Sequence, residues 1–292
     1  MSMTKSDGSA VPRADVSFNR DAVMPRLDWL CANRFLRGLV VPFLLLALWQ
    51  LSASMGWAPS SSIPSPAAVA EGWYEWIAGP ITPLAWYSGT WLNYTLLSLR
   101  RVATGFAIAA AAGTLSGLLL GWYALINDLF ENVVNFLRAI PTTAWMPFIV
   151  FFFGIHETAA ITLIAFGAFF PIATTIAAAA RQTPRTLVRA ARMLGTPSRK
   201  LLWRVVLPST LPAVFAGLRI GLGLSWVLVI VAEMLAVQGG LGYALWSAYQ
   251  VNRLDLILAA IISVGIFGLM SDWLLVRLAG LSLRWQRGLV GQ

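Results

Sequence analysis

Lysine is almost missing from this chain of 292 residues: Lys5 and Lys200 are the only two. The sequence holds no phosphate-cradling G-x-x-x-x-G-K-[ST] loop, so the chain has no usual means of gripping ATP itself. Cysteine is scarcer still, and Cys31 alone excludes an intrachain disulfide and any multi-cysteine metal or iron–sulfur centre. Histidine is limited to His156, and the 12 acidic residues are scattered. An integral-membrane lipid or prenyl transferase, which needs clustered acids or a histidine-rich metal site, has nothing here to be assembled from. Charge as a whole is thin, at 11% of residues against about 25% in soluble chains.

What fills the space is apolar. The hydrophobic share is 58% and the mean hydropathy +0.73. The formal net charge of +9 is carried by residues lying between long apolar runs, which fits a membrane surface and not nucleic acid. A spanning helix needs about 20 mostly apolar residues. Six runs meet that requirement: 38–57, 95–121, 129–153, 158–180, 213–237 and 256–279. Pro141 and Pro147 lie inside the third and are expected to break its hydrogen-bond ladder.

Six spans leave both termini on one side, and the basic residues choose the side. Lys5, Arg13, Arg20, Arg26, Arg34 and Arg37 precede the first run; Arg181, Arg185, Arg189, Arg192, Arg199, Lys200 and Arg204 separate the fourth from the fifth; Arg277, Arg284 and Arg287 close the chain. The connection 58–91 holds no lysine or arginine. By the positive-inside rule both termini and the segment 181–211 are cytoplasmic. Arg253 and the Arg100–Arg101 pair are exceptions, near outer ends, and would anchor at headgroups. The polar lead of about 37 residues is too long for a signal peptide, so the first run is an uncleaved anchor. The expected organisation is a cytoplasmic tail (1–37), an anchor helix (38–57), an outer connection (58–94) with an interfacial helix bearing Trp73, Tyr74 and Trp76, a core (95–280) and a cytoplasmic tail (281–292).

The segment VRAARMLGTPSRKLLWRVVLPSTLP, residues 188–212, interrupts the apolar pattern. Arg185, Arg189 and Arg192 share one helical face, with Leu187, Ala190, Ala191 and Leu194 opposite. Gly195 suits a left-handed helix cap. Thr196 and Pro197 read as an N-cap and first helical residue, opening a second helix that stops before Pro208, with Pro212 starting the next span. Such a segment could rest on anionic lipid. A glycine hinge between two short helices suits a projecting elbow that enters a partner's cleft.

Arg189-Ala190-Ala191, Gly195, and Val205-x-Leu207-Pro208 resemble the coupling signature of bacterial ABC-importer permeases, Glu-Ala-Ala-x3-Gly-x9-Ile-x-Leu-Pro. Arg189 replaces the usual Glu and Val205 the usual Ile; Arg189 reverses a charge at the family's first acidic contact. IPSPAAV (63–69), SLRRVATGF (98–106), LRAIPTTAWMPFIVFFFGI (137–155) and GGLGYALW (239–246) resemble the branch importing nitrate, taurine and aliphatic sulfonates. Residues 154–172 look most like the aliphatic sulfonate permeases. The resemblance implies an all-α, six-span, type I ABC importer permease fold in the bacterial inner membrane, with cytoplasmic coupling helices. It implies no catalysis or cofactor of its own, a cytoplasmic ATPase dimer that binds ATP and contacts Arg185, Arg189, Ala190, Ala191, Gly195, Val205, Leu207 and Pro208, a periplasmic or lipid-anchored substrate-binding protein, and a second permease copy.

Ionisable residues within spans are functional candidates by default. Arg138 beside Pro141 would either attract an anion or position the bend. Arg219 and Glu233 are 14 residues apart, about 21 Å along a helix, so each must bond a neighbouring span, with Asp272 a candidate partner. Arg138, Pro141 and Glu233 are the candidates for the translocation path. His156 beside Glu157 reads as a solvated turn residue. Gly113, Gly117 and Gly121 form a stripe of small residues for close packing, either within the chain or against its second copy. A proton-coupled secondary transporter would need a relay of Asp, Glu or His, for which Glu233 and Asp272 are the only material.

Overall fold

A computed structural model describes residues 34–55, 64–79 and 87–283. Most of the expected N-terminal tail, the C-terminal residues 284–292 and parts of the outer connection lie outside the described residues. All regular structure among the described residues is helical. The chain divides into two compact units, Met1–Ala58 and Pro59–Gln292. The first contributes α1 (Arg34–Ser54), whose apolar stretch Val40–Ser54 falls within the expected anchor. The second holds α2 (Pro66–Ala78), α3 (Trp91–Trp122), α4 (Ala124–Ala139), α5 (Met146–Phe153), α6 (Glu157–Arg181), α7 (Arg185–Met193), α8 (Ser198–Leu201), α9 (Leu207–Leu235), α10 (Leu241–Gln250) and α11 (Leu254–Ser282).

Among the described residues, four helical stretches are long and apolar enough to cross a membrane, α3, α6, Leu202–Leu235 and α11, or five if the bent pair of α4 and α5 is one span. The third expected span is no straight helix. α4 ends at Ala139, a 3-10 turn covers Thr142–Trp145, and α5 follows, the two halves meeting at 89°. Pro141 causes the break: Ile140 before it is extended (ψ 125°), the conformation that a following proline enforces. Pro147 breaks nothing. It occupies the first turn of α5, where a missing N–H costs no bond.

The register of α3 on α6 sets the topology. A Cβ on Gly105 would meet Ile164, one on Gly113 would meet Ile172, one on Gly117 would lie 2.6 Å from Ala173 O, and one on Gly121 would lie 2.5 Å from Ala180 Cβ. Positions rise together along both helices, so α3 and α6 run parallel. Parallel spans cannot be neighbours in sequence without a return crossing, and residues 123–156 supply it as the bent pair. The glycine stripe therefore packs within the chain, with backbones brought together as small residues allow. α9 is antiparallel to α6: Gly221 and Gly217 face Ile172, while Gly167 faces Leu228.

α2 occurs where the interfacial helix is expected, capped by Ser65, whose side chain accepts from Ala68 N–H at 3.2 Å. Its aromatics divide. Tyr74 is exposed, whereas Trp76 is fully buried and its indole donates to Thr90 Oγ1 at 3.2 Å. Trp76 is thus a packing residue and not an interface anchor.

Substituting Gly117 with Leu should destabilise the fold by about 1–3 kcal/mol through overpacking, read as a lower unfolding midpoint in detergent. Gly223→Ala, where an added Cβ meets nothing within 4 Å, should leave that midpoint unchanged or slightly higher.

Candidate functional site

The elbow is built as two short helices around a glycine turn. α7 ends at Met193, and Gly195 takes φ +78°. Gly195 N–H donates to Arg192 O at 2.9 Å and Thr196 N–H to Ala191 O at 3.1 Å. This is the paired-bond Schellman closure, which needs a left-handed residue at its second-last position. Ala191 is thus a participant in the turn through its carbonyl. α8 begins at Ser198 with Pro197 as its cap, one residue later than the Thr196 reading.

The second helix does not stop before Pro208. It continues through a π turn, Leu202–Val206, directly into α9, with Pro212 inside α9. Leu207 N–H bonds to Leu202 O, an i→i−5 closure that absorbs the ladder position Pro208 cannot fill. Leu201, Leu202 and Val206 are buried, and the last two pack with Ile172 and Ile176 of α6 and Val214 of α9. Val205, Leu207 and Pro208, the motif positions, are only half-buried beside them. One end of the elbow is thereby plugged into the membrane core. The other end stands clear: Met193 is 87% and Leu194 86% exposed, and Leu187 is also exposed.

The arginine face of α7 turns the opposite way. Arg185, Arg189 and Arg192 line a cavity of about 530 Å³ with Arg181, Thr183, Val188, Ala180 and the α3–α4 junction Gly121-Trp122-Tyr123. A neighbouring cavity of about 420 Å³ is lined by Arg138, Asn127, Glu131, Asn135, Thr174, Arg181 and Gln182 among others. Arg138 thus opens onto a polar space between α4 and α6. Arg181 joins the two spaces and bonds Asn127 Oδ1 at 2.6 Å and Glu131 at 3.5 Å.

Glu233 sits elsewhere, in a buried polar knot. Arg101 Nη1 donates to Glu233 Oε1 at 2.9 Å and to Gly239 O at 2.6 Å. Ser98 Oγ lies 2.7 Å and 2.9 Å from the two Glu233 oxygens, Gly242 N–H donates to Oε2 at 2.8 Å, and Leu241 N–H donates to Ser98 Oγ at 2.9 Å. Arg101 is 2% and Glu233 1% exposed. Glu157 adds a contact of 3.6 Å to Arg101 and one of 3.2 Å to exposed Arg100. Arg101 is therefore no headgroup anchor, and Glu233 is enclosed in packing and not open to a cavity. The knot fixes the turn between α9 and α10, where Gly239 and Gly240 have φ +82° and +118°. A Cβ on Gly240 would collide with the Glu233 carboxylate.

Arg253 is part-exposed, and its guanidinium is held by side chains of the protein. It donates to Asp255 at 2.7 Å and to Tyr87 Oη at 2.7 Å, lies 3.4 Å from Glu75, and covers the Tyr87 ring. The hydrogen bonds to Asp255 hold its guanidinium above the ordinary range, and burial pushes the Tyr87 phenol up. Arg219 and Asp272 pair through two bonds of 2.5 Å and 2.7 Å. His156 is an exposed cap residue before α6.

Residues 105–280 match the family described as binding-protein-dependent transport system inner membrane component. The chain belongs to this family. The permease is 36% identical over 234 residues to the nitrate import permease protein NrtB of Synechococcus elongatus, covering 78% of this chain and 83% of that one. It is 36% identical over 231 residues to the bicarbonate transport system permease protein CmpB of the same organism, covering 78% and 82%. A protein of Bacillus subtilis whose name assigns it to aliphatic sulfonate transport, SsuC, is 28% identical over 257 residues, covering 88% and 90%. An inward-facing structure of the MetNI methionine ABC transporter matches with TM-score 0.61 at 21% identity, over 70% of this chain and 99% of that one. The fold is that of a type I importer permease, and the chain is the transmembrane permease subunit of an ABC importer.

Sequence reasoning missed Ser98 and Arg101 as partners of Glu233. The available signal was the arginine itself, three residues after a serine in an apolar helix, since a buried charge requires a partner. Glu233→Gln should leave Arg101 buried without its main counter-charge and cost about 3–5 kcal/mol. An Arg101→Met, Glu233→Met double variant should recover part of that loss, as measured by unfolding of the purified permease.

Proposed function

We propose that this permease imports a small inorganic or organic anion, and that its elbow receives the stroke of a cytoplasmic ATPase dimer. The observation that carries the reading is the asymmetry of the elbow: Leu187, Met193 and Leu194 exposed at one end, Leu201, Leu202 and Val206 buried in the α6–α9 core at the other. Exposed apolar side chains on a short rigid helix suit a partner's cleft. A push on that helix travels through the π turn into α9 without passing a flexible loop. ATP-driven closure of the ATPases would swing two permease copies from inward-open to outward-open, with a periplasmic or lipid-anchored binding protein delivering substrate to the outer face. Both termini and the elbow are cytoplasmic in this scheme, as the arginine distribution supports.

The anion reading rests on Arg138, which opens with Arg181 onto the polar 420 Å³ cavity between α4 and α6, and on relatives named for nitrate and bicarbonate import. Aliphatic sulfonates and taurine belong to the same chemical class of small oxyanions, which a guanidinium recognises through paired hydrogen bonds. A proton-coupled carrier is the weaker reading. Its two candidate carboxylates, Glu233 and Asp272, are each held by an arginine and offer no free relay.

Gly195→Val forces a β-branched residue into the left-handed region at about 1–2 kcal/mol or more, although an added Cβ meets nothing within 4 Å. It should lower ATP-dependent uptake in proteoliposomes about tenfold while the protein still inserts, whereas Gly195→Asn, which tolerates that conformation, should remain near wild type. Wild-type uptake by Gly195→Val would refute the elbow mechanism. For the substrate, competition among nitrate, bicarbonate, taurine and an alkyl sulfonate is expected to pick out one oxyanion. Arg138→Gln should raise its half-saturating concentration, and no dependence on Arg138 would remove that residue from the path.

A further inference from the structure

Four guanidinium-bearing residues, Arg181, Arg185, Arg189 and Arg192, border the 530 Å³ cavity under α7, and no carboxylate lines it. Of these four, Arg181 is the one with an acidic partner among the described residues, Glu131, which lies on the side of the second cavity. The arrangement is costly for the helix that carries it. Arg185 and Arg189 are four apart and Arg189 and Arg192 three apart, spacings at which like charges repel. The first turn of α7 has no acidic residue and begins with an arginine, the wrong sign for the positive end of a helix dipole. The four arginines are exposed to solvent, and a cavity that gathers cations in this way offers a site to an anion from outside the chain.

The other walls say where that anion resides. Trp122 and Tyr123 close the inner end of α3, and Gly121 and Ala180 form a small-residue floor where α3 meets α6. Trp and Tyr at the end of a spanning helix mark headgroup depth, so the cavity opens at the level of lipid phosphates. Its volume is in the range of about 300–1,000 Å³ that small ligands fill. Leu187 on the opposite face of α7 and Leu194 just after it are exposed, leaving that side for a protein partner while the arginine face borders the cavity.

We propose that this cavity is a binding site for the phosphate headgroup of an anionic phospholipid, which holds α7 against the inner ends of α3 and α6. The lipid supplies the counter-charge that Arg189, in place of the family's Glu, would otherwise take from a protein. The proposal rests on the elbow lying at the cytoplasmic surface, but binding can be read in detergent, where orientation plays no part.

The test titrates the purified, assembled transporter with phosphatidylglycerol, phosphatidylcholine and inorganic phosphate, following lipid retained in native mass spectra and ATPase retained in the same complexes. Saturable retention of phosphatidylglycerol over phosphatidylcholine is expected. Each arginine removed should weaken it about fivefold, so Arg185→Gln, Arg189→Gln, Arg192→Gln together should weaken it by about a hundredfold. Should the triple variant fail to insert, Arg189→Gln and Arg189→Glu read the same titration, and the Glu variant must bind lipid less tightly than the Gln variant. Unchanged retention in these variants overturns the site. Saturation by inorganic phosphate without lipid retention overturns the lipid assignment, and loss of ATPase with lipid retention intact assigns the arginines to the ATPase instead. Gly195→Val should leave lipid retention unaltered, so a failure of the elbow mechanism is read separately.

Discussion

The close parallel approach of α3 to α6 is the contact on which the rest of the permease depends. Four glycines, Gly105, Gly113, Gly117 and Gly121, meet α6 along one line, and no side chain larger than hydrogen fits between the backbones at Gly117 and Gly121. In lipid, where apolar side chains gain little by leaving the solvent, van der Waals contact of this kind is a main source of helix association. Because the two helices point the same way, the residues between them must recross the membrane. The bend at Pro141 is where that crossing turns, and Arg138 and the polar cavity lie beside it.

Two charged clusters anchor this frame at the end away from the elbow. Arg101 and Glu233 are buried together with Ser98 and the backbone of the Gly239–Gly242 turn, so α3, α9 and α10 are tied by buried charge-assisted bonds. Arg253, part-exposed, links α2, Tyr87 and the start of α11 by bonds that water can reach. Neither cluster lines the two cavities beside the elbow and Arg138. Buried pairs of this sort contribute little net stability compared with apolar packing, yet breaking one is severe. Their effect is to specify one arrangement of the turns they hold, while the opposite end retains open cavities and the exposed elbow.

The elbow joins this frame to whatever lies beneath it. Its Schellman turn fixes the angle between α7 and α8, and the π turn lets Pro208 be passed without a break. The proline that stops a helix in most sequence readings is here carried inside a continuous rod, because widening one turn removes the need for the bond it cannot make. Mechanical continuity from Thr196 to the far end of α9 follows from that local accommodation.

Composition, the apolar runs and the spacing of Ala191, Gly195 and Pro208 were sufficient to read an all-helical membrane protein, its family and its elbow, since each depends on residues near in sequence: hydropathy over one turn after another, a positive φ, a fixed interval between motif positions. The glycine stripe was visible too, but its partner was not, because a stripe of small residues fits any helix of matching shape. Arg101 and Glu233 are 132 residues apart, and nothing along the chain says that they meet. Trp76 looked like an interface aromatic and became core for the same reason. Burial and pairing are properties of two segments at once, so only the packed bundle decided which charges are knots, which line cavities, and that the arginines of α7 face the ends of α3 and α6 while Leu187 faces away.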